Sequence, residues 1–239
     1  MYKGKNILAV VPARGGSKGI KLKNLKKIGG KTLIYYVAQI INSIKEIDTG
    51  VVSTDSLLIK KEALKNNLLV PFLRPEKISG DFVGDLEVLE HALTSMEIIN
   101  ECKYDVILML QPTAPFRRKI DVTKTIKKLI DENLDSVWTV SKLDKKFHPL
   151  KQLYINDNGY LNLFDKRGKN IIARQQLGEI YYRNGIAYAI SRNTILTKKS
   201  ILGEFSKKIL IKYPNINIDT MEDLNLANEI FLNKKKSRG

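Results

Sequence analysis

The chain has 239 residues, of which 43% are hydrophobic and 28% are charged, so it is long and apolar enough to fold around a core. The 41 Lys and Arg exceed the 25 Asp and Glu by a net charge of +16, which raises the question of a nucleic-acid partner. One cysteine and two histidines exclude an internal disulfide and a Cys-based or His-rich metal site. We expect a cytoplasmic protein, because the lone Cys102 fits a reducing compartment and no apolar run approaches the roughly 18–20 residues of a membrane span.

The basic charge lies mainly at the two ends of the chain. Residues 1–45 carry ten Lys and Arg and no Asp or Glu, and residues 234–239 carry four more. Between them, residues 46–233 hold 27 basic and 25 acidic residues, so the body of the protein is nearly neutral. A protein that coats DNA or RNA would more often spread its charge over the body. We therefore expect no nucleic-acid partner and keep nucleic-acid binding only as a remote alternative.

Apolar patterns alternate between those of strands and those of helices. Residues 6–11 and 105–110 are continuous apolar runs that end at or near a proline, which is typical of strands buried on both faces. Further strands are predicted at residues 50–53, 136–140, 186–190 and 216–220. Helices are predicted at residues 33–44, with Thr32 as the cap, and up to Leu64 from a cap at Asp55 or Ser56. Further helices are predicted from Asp85 onwards and at residues 120–130. The last helix is predicted at residues 221–232, after a capping box formed by Thr220 and Asp223.

Strands separated by helices of this length indicate an α/β fold with a mostly parallel sheet and helices on both of its faces. The pattern changes near Ser141, where a polar stretch begins that contains the hairpin-turn sequence Asn156-Asp157-Asn158-Gly159. The predicted parts are an α/β core in residues 1–141, an antiparallel insertion in 142–182, a return to the core in 183–233, and a basic tail in 234–239. Because the insertion has no obvious core of its own, it indicates a partner subunit.

The first predicted strand runs into a loop with the composition of an anion-binding site. Its sequence is Pro12-Ala13-Arg14-Gly15-Gly16-Ser17-Lys18-Gly19, and Lys23-Asn24-Leu25 follows closely. The glycines let backbone N–H groups approach an anion, and the three cations add charge. In open parallel sheets, ligands bind beyond the carboxyl ends of the strands, where this loop lies. The spacing matches neither the Walker loop nor the dinucleotide fingerprint, and a flexible basic loop is the plain alternative.

With this loop the chain resembles the acylneuraminate cytidylyltransferases, also called CMP-sialic acid synthetases. The resemblance covers nearly the whole chain, and the motifs follow one another in order. They are Val11–Gly19 with Lys23-Asn24-Leu25, Val52-Ser53-Thr54-Asp55, Arg74-Pro75, Ser79-Gly80-Asp81, Leu110–Arg117, His148-Pro149-Leu150-Lys151, Arg174–Leu177, Asn184-Gly185 and Ile218-Asp219-Thr220. The resemblance implies a three-layer Rossmann-like nucleotidyltransferase fold in which residues 142–182 are an antiparallel dimerisation insertion. It also implies that the core in residues 1–141 binds the nucleotide and that residues 183–233 contain a metal-binding strand.

The resemblance also implies a reaction and its participants. The anomeric hydroxyl of a nine-carbon 2-keto sugar acid of the sialic-acid type would attack the α-phosphate of CTP, giving a CMP-sugar and pyrophosphate. Mg²⁺ would be the cofactor, and the assembly would be a homodimer. Legionaminate, pseudaminate or another bacterial nonulosonic acid is the alternative substrate. Kdo is less favoured, because the Kdo enzymes usually have Ser-Thr-Arg in place of Gly-Ser-Lys in the first loop.

Site residues follow from the same resemblance, position by position. The implied catalytic residues are Arg14, Lys18, Lys23 and Asp219. The implied nucleotide-binding residues are Ala13, Arg14, Gly15, Gly16, Ser17, Lys18, Lys23, Asn24, Arg74 and Asp85. The sugar acid would contact Gln111, Lys151, Arg174 and Arg183, and the metal ion would be held by Asp219 and Asn217.

Three positions depart from the family pattern. Asn217 stands where the family often has Asp, and a neutral amide oxygen binds Mg²⁺ less strongly than a carboxylate. Arg183 directly precedes Asn184, whereas the family arginine would fall on Tyr182. Ala114 stands where the family usually has Ser. The differences at Arg183 and Ala114 point to a sugar acid other than ordinary N-acetylneuraminate, whereas Asn217 bears on metal affinity.

Overall fold

The structure is a computed structural model that describes residues 1–236, with side chains described as far as residue 233. The charged side chains of the predicted tail, 234–239, therefore lie outside the described residues. The strands are β1 (Ile7–Pro12), β2 (Lys27–Ile28), β3 (Lys31–Thr32), β4 (Thr49–Ser53), β5 (Val106–Met109), β6 (Ser136–Lys142), β7 (Leu153–Ile155), β8 (Leu161–Leu163), β9 (Tyr181–Ser191) and β10 (Ser206–Ile211). The helices are α1 (Leu33–Ser43), α2 (Leu57–Lys65), α3 (Asp85–Ile99), α4 (Lys119–Asp131), α5 (Arg192–Leu196) and α6 (Met221–Lys236).

The main sheet has six strands in the order β10-β6-β9-β5-β1-β4. Strand β1 pairs in parallel with β4 and β5, so that Val10 lies between Val51 and Met109. Strand β5 pairs antiparallel with β9, where Met109 lies opposite Tyr188. The predicted α/β class is therefore confirmed, in the form of a mixed sheet.

Helices cover both faces of this sheet. Val51 of β4 packs in an apolar cluster with Leu89 of α3. The preceding residue, Gly50, points to the opposite face, since successive strand residues alternate. There a Cβ on Gly50 would lie 2.6 Å from Cγ2 of Ile41 in α1. The arrangement is helix, sheet and helix, which confirms the predicted three layers.

Two predicted helix caps are present. The Thr32 hydroxyl accepts a hydrogen bond from the backbone N–H of Tyr35 at 3.1 Å, at the start of α1. At the start of α6, Thr220 Oγ1 accepts from the N–H of Asp223 at 3.2 Å, and Asp223 Oδ2 accepts from the N–H of Thr220 at 2.8 Å. This reciprocal pair is the predicted capping box, in which Asp takes the place of Glu.

Two local predictions are wrong. Residues 216–220 are not a strand. Within the described residues, their one backbone bond to another segment runs from the Ile218 N–H to the Thr113 carbonyl, so no ladder forms. The proposed metal-binding residues Asn217 and Asp219 therefore lie on an irregular segment. Ser56 stands at the start of α2, but its side chain accepts no capping bond. The Asp55 carboxylate does not cap the helix either and instead accepts from the Gly15 N–H.

The chain divides into two units, each with its own internal packing. The first comprises residues 1–139, 184–209 and 214–236, and the second residues 140–183 and 210–213. The second unit contains the antiparallel hairpin β7–β8, in which Leu153 lies opposite Leu163. Its turn is the predicted one, with Gly159 at a φ of 80° and the Asn156 N–H bonded to the Tyr160 carbonyl at 2.9 Å. Within residues 1–236, none of the helices combines the length and the hydropathy that a membrane-spanning segment requires.

Candidate active site

A cavity of about 500 Å³ opens in the first unit, beyond the ends of β1 and β5. Its size is that of pockets that hold small ligands. Most of its wall is polar, and charged side chains come from four separate stretches of the chain. The lining residues are Pro12, Arg14, Ser17, Lys18, Gly19, Lys23, Asn24, Arg74, Gly80, Asp81, Val83, Asp85, Val88, Gln111, Pro112, Thr113, Asn217 and Asp219.

The glycine-rich loop is fixed at both ends by hydrogen bonds. Ala13, which is fully buried, donates its N–H to the Ser53 carbonyl at 3.0 Å and so extends the pairing of β1 with β4. The buried Asn24 amide donates to the Arg14 carbonyl at 3.1 Å from the other side. Ala13, Gly15 and Gly16 thus shape the loop, while its cationic side chains form the wall of the cavity.

Each of the three loop cations is paired with a carboxylate. Arg14 and Lys18 both contact Asp81, each at 2.8 Å. Lys23 Nζ lies 2.7 Å from Asp219 Oδ1. Hydrogen bonding from Lys18 lowers the pKa of Asp81, so this carboxyl is charged at neutral pH. The site therefore has the donors for a polyanion, with internal anions already bound to them.

Arg74 lies deeper, where it holds the end of β4. Its Nε donates to the Ser53 hydroxyl at 3.0 Å, and its second nitrogen donates to the Ser53 carbonyl at 2.6 Å. Burial lowers the pKa of the Arg74 guanidinium to about 10, partly offset by Asp55 and Asp85. The side chain thus stays a cation at neutral pH. Asp85 is the first residue of α3 and also lines the cavity.

A polar cluster at the end of β5 is built around Gly185. Gly185 has a φ of 72°, and a Cβ placed on it would lie 2.9 Å from Gln111 Oε1 and 3.0 Å from Asn217 Oδ1. The buried Arg117 holds this arrangement, because its guanidinium donates to the Gln111 carbonyl and, at 3.3 Å, to the Gly185 carbonyl. Two amide oxygens therefore converge where only glycine leaves room for them.

Asn217 and Asp219 are the two side chains that the resemblance assigns to a metal ion, and both carry oxygen atoms. Asn217 Nδ2 donates to Asp219 Oδ2 at 2.9 Å, and Asn217 Oδ1 is a buried acceptor with no hydrogen-bond partner. Asp219 is 62% exposed. Among residues 1–236, no three His, Cys, Asp or Glu side chains gather closely enough to hold a metal ion by themselves. Any such ion would need further oxygens from a ligand or from water.

The structure brings most of the predicted site residues to one cavity and leaves others apart. Ten of them line it: Arg14, Ser17, Lys18, Lys23, Asn24, Arg74, Asp85, Gln111, Asn217 and Asp219. Lys151, Arg174 and Arg183 belong to the second unit, whereas every residue of the cavity wall belongs to the first.

The ion pairs of Asp81 with Arg14 and Lys18 are not predicted by the sequence, although Asp81 lies in the Ser79-Gly80-Asp81 motif. Asp81 lies 67 and 63 positions from Arg14 and Lys18, and no local sequence pattern indicates a contact over such a separation. The one available hint was an acid within a motif of the resemblance, placed shortly before a predicted helix.

Comparison with known proteins gives relatives that match over most of the chain, and two of those named here are cytidylyltransferases. The chain is 29% identical over 232 residues to the post-translational flagellin modification protein B of Campylobacter coli, covering 97% of this chain and 96% of the relative. It is 28% identical over 227 residues to the pseudaminic acid cytidylyltransferase of Campylobacter jejuni, covering 94% and 95%. It is also 28% identical over 239 residues to the N-acylneuraminate cytidylyltransferase of Escherichia coli, covering 97% of this chain and 53% of the relative.

Solved structures agree on the fold. A structure of CMP:2-keto-3-deoxy-manno-octonic acid synthetase complexed with CTP superposes with a TM-score of 0.70 at 16% identity, covering 96% of this chain and all of the other. The family model described as cytidylyltransferase matches residues 8–237. The chain therefore belongs to the cytidylyltransferase family.

Proposed function

We propose that this cytidylyltransferase joins CTP to a nonulosonic acid. The anomeric oxygen of the sugar acid forms a bond to the α-phosphorus, the bond from that phosphorus to the β-phosphate bridge breaks, and pyrophosphate leaves. The hydroxyl proton passes to the solvent, and a CMP-sugar is the product. The single observation that carries the proposal is the convergence of Arg14, Lys18, Lys23, Gln111 and Asp219 on one cavity in a chain of this family.

The phosphates would bind to the glycine-rich loop. Arg14, Lys18 and Lys23 present three cations to one cavity, and negative charge on a transferring phosphate is stabilised by cations held in place beforehand. The buried Asn24 supports this geometry, since it anchors the backbone of Arg14. Catalysis would then consist of positioning and charge stabilisation.

The nucleoside would bind near Arg74 and Asp85. Arg74 is held rigidly by Ser53, and Asp85 stands at the N-terminal end of α3. Guanidinium and carboxylate groups can bond to the polar edge of cytosine and to ribose hydroxyls, respectively. This part of the proposal carries over from the family resemblance.

The sugar acid would bind where Gln111 and Asn217 lie around Gly185. The amide oxygens there can accept hydrogen bonds from hydroxyl or acylamino groups, and nonulosonic acids have several of these groups. The relatives named for pseudaminic acid and for N-acylneuraminate are equally similar to this chain, at 28% identity each. Pseudaminate and related bacterial acids therefore stand beside N-acetylneuraminate as candidate substrates.

Mg²⁺ is the proposed cofactor, and Asp219 and Asn217 are the residues that would hold it. The residues fit a hard cation, because they offer one exposed carboxylate and a buried amide oxygen that lacks a partner. Bound there, Mg²⁺ would neutralise charge on the phosphates.

A homodimer is proposed on the properties of the second unit. Its hairpin exposes large apolar side chains, including Ile155 at 69% and Leu161 at 65% exposure, and Ile172 is 94% exposed. Such a group of apolar side chains favours a protein partner. By the family resemblance, Lys151 and Arg174 of this unit would reach the sugar acid in the neighbouring subunit.

Pyrophosphate release tests the proposal. The protein is incubated with each of CTP, UTP, ATP and GTP and with N-acetylneuraminate, legionaminate, pseudaminate or Kdo. We expect release with CTP and one of the nonulosonic acids, and at least tenfold less with the other nucleotides. The proposal fails if no combination of CTP and a nonulosonic acid gives release.

A further inference from the structure

Asp81 occupies the two cations that a nucleotide would use. Its Oδ1 lies 2.8 Å from a terminal nitrogen of Arg14, and its Oδ2 lies 2.8 Å from Nζ of Lys18. One carboxylate thus bridges both cations through separate oxygens, as two oxygens of a phosphate group would. Asp81 is itself part of the cavity wall. In the free protein, the Asp81 carboxylate therefore occupies the position that we propose for a phosphate group of the nucleotide.

Apart from its contacts with Arg14 and Lys18, the segment that carries Asp81 has little packing and weak backbone bonding. It runs from Gly80 to Gly84, between the short helix Glu76–Ile78 and α3. Phe82 is fully exposed, and the backbone bond across the turn, from the Val83 N–H to the Gly80 carbonyl, is 3.5 Å long. The Gly80 carbonyl also accepts from Nη1 of Arg14 at 2.8 Å, so Arg14 contacts this segment at both Gly80 and Asp81. Segments with few packed side chains and weak backbone bonds open at little cost in free energy. The Asp81 carboxylate can therefore leave its partners without disturbing the core.

We propose that Asp81 is an internal competitor of the phosphate groups. A triphosphate displaces it from Arg14 and Lys18, and it re-forms these ion pairs as pyrophosphate leaves. This inference rests on the proposed function, since it assigns Arg14 and Lys18 to the triphosphate. The work of breaking two ion pairs lowers the affinity for CTP and for pyrophosphate alike, because both need the same cations. Asp81 thus sets how tightly the site holds polyphosphate and favours release of the product.

The competing account is that Asp81 only holds Arg14 and Lys18 in position. The two accounts predict opposite effects of removing the charge. If Asp81 competes, the variant Asp81→Asn binds nucleotide more tightly than the unmodified protein. If Asp81 only positions the cations, the same variant binds nucleotide more weakly.

Calorimetric titration with CTP in the presence of EDTA separates these accounts. The matched control is Glu76→Gln, which makes the same charge change on an exposed residue a few positions away. We expect Asp81→Asn to lower the Kd for CTP roughly fivefold, given two partly exposed ion pairs, and Glu76→Gln to change it less than twofold. An unchanged or higher Kd for Asp81→Asn, with CTP still bound by the unmodified protein, overturns the inference. Absence of CTP binding in every variant overturns the proposed function as well.

A reporter keeps the test decisive if Asp81→Asn folds poorly. Phe82→Trp places an indole on the same segment, at a fully exposed position, in a protein with one other tryptophan. Inorganic tripolyphosphate is then added, so that the base plays no part. We expect the emission of the Phe82→Trp protein to shift and saturate. Emission that stays unchanged while calorimetry shows tripolyphosphate bound overturns the displacement.

Discussion

Lys23 and Asp219 are 196 residues apart in the chain, yet Lys23 Nζ lies 2.7 Å from Asp219 Oδ1 in the wall of the cavity. Gly19 makes a second contact between the same regions, because a Cβ there would lie 2.8 Å from the Asp219 carbonyl oxygen. The glycine-rich loop and the segment before α6 are therefore parts of one site. The proposed phosphate-binding and metal-binding residues meet at this contact.

Replacement of Arg14 by Lys should reduce turnover while leaving the fold intact. Arg14 can offer two parallel N–H groups to a phosphate, whereas an ammonium group acts as a point charge. We expect kcat/KM for CTP to fall by about 10²- to 10³-fold, as on removal of one oriented donor. Lys21→Ala is the control, since Lys21 is exposed and lies outside the cavity wall. Steady-state kinetics and thermal melting of both variants provide the check, and near-normal rates for Arg14→Lys would contradict the assignment.

Asp219→Asn should raise the Mg²⁺ requirement. It removes the one carboxylate of the proposed ligand pair and leaves two neutral amides, which bind Mg²⁺ less strongly. We expect the half-saturating Mg²⁺ concentration to rise at least about tenfold at saturating CTP. Glu222→Gln, an exposed acid in the first turn of α6, is the matched control. An unchanged Mg²⁺ titration would remove Asp219 from the metal site.

Gly185→Ala should damage both the fold and the sugar-acid site. The residue has a φ of 72°, and the added Cβ would approach the Gln111 and Asn217 amide oxygens to 2.9 and 3.0 Å. Strain and crowding together should cost about 1–3 kcal/mol in the free energy of unfolding. The KM for the sugar acid should rise as well. Gly178→Ala is the control, because its Cβ would meet open space; equal melting temperatures for the two variants would disprove the claim.

Asp135 should make stability depend on pH in the acid range. Its carboxylate accepts from Lys198 Nζ at 2.8 Å and from the N–H groups of Glu204 and Phe205 at 2.9 and 3.0 Å. These bonds lower the pKa of Asp135 to about 2, with Lys198 the largest cause.

Because the pKa of Asp135 is lower in the folded state, its stabilisation is present above the unfolded pKa near 3.9 and disappears as the pH falls through about 2. Asp135→Asn should therefore cost about 2 kcal/mol at pH 7 and progressively less below pH 4. Urea unfolding of both proteins at several pH values measures this difference. A difference that does not change between pH 7 and pH 2.5 would contradict it.

Local patterns predicted much of the fold. The cap at Thr32 and the apolar spacing that follows depend on residues a few positions apart, and α1 begins there. Residues 216–220 have the same apolar alternation as a strand, but a strand also needs a paired neighbour, and these residues have only the bond from Ile218 to Thr113. Strand β10 was missed, because its lysines, Lys207 and Lys208, interrupt the apolar pattern.

The cavity could be predicted in outline but not in its pairing of charges. The loop from Arg14 to Lys23 carries its own signal in glycines and cations. Asp81 and Asp219 reach those cations only through the tertiary fold, and no spacing in the sequence indicates it. The net charge of +16 belongs to the whole chain and does not describe the site. In the cavity, Arg14, Lys18 and Lys23 are each paired with a carboxylate, so their positive charge is partly neutralised.

The central claim is that the anomeric oxygen of a nonulosonic acid attacks the α-phosphate of CTP. A sugar acid labelled with ¹⁸O at the anomeric hydroxyl tests it most directly, with product masses read after a single turnover. We predict a CMP-sugar that retains the label in the bridge between sugar and phosphorus, together with unlabelled pyrophosphate. A CMP-sugar without the label, or no CMP-sugar from any nonulosonic acid, would contradict the claim.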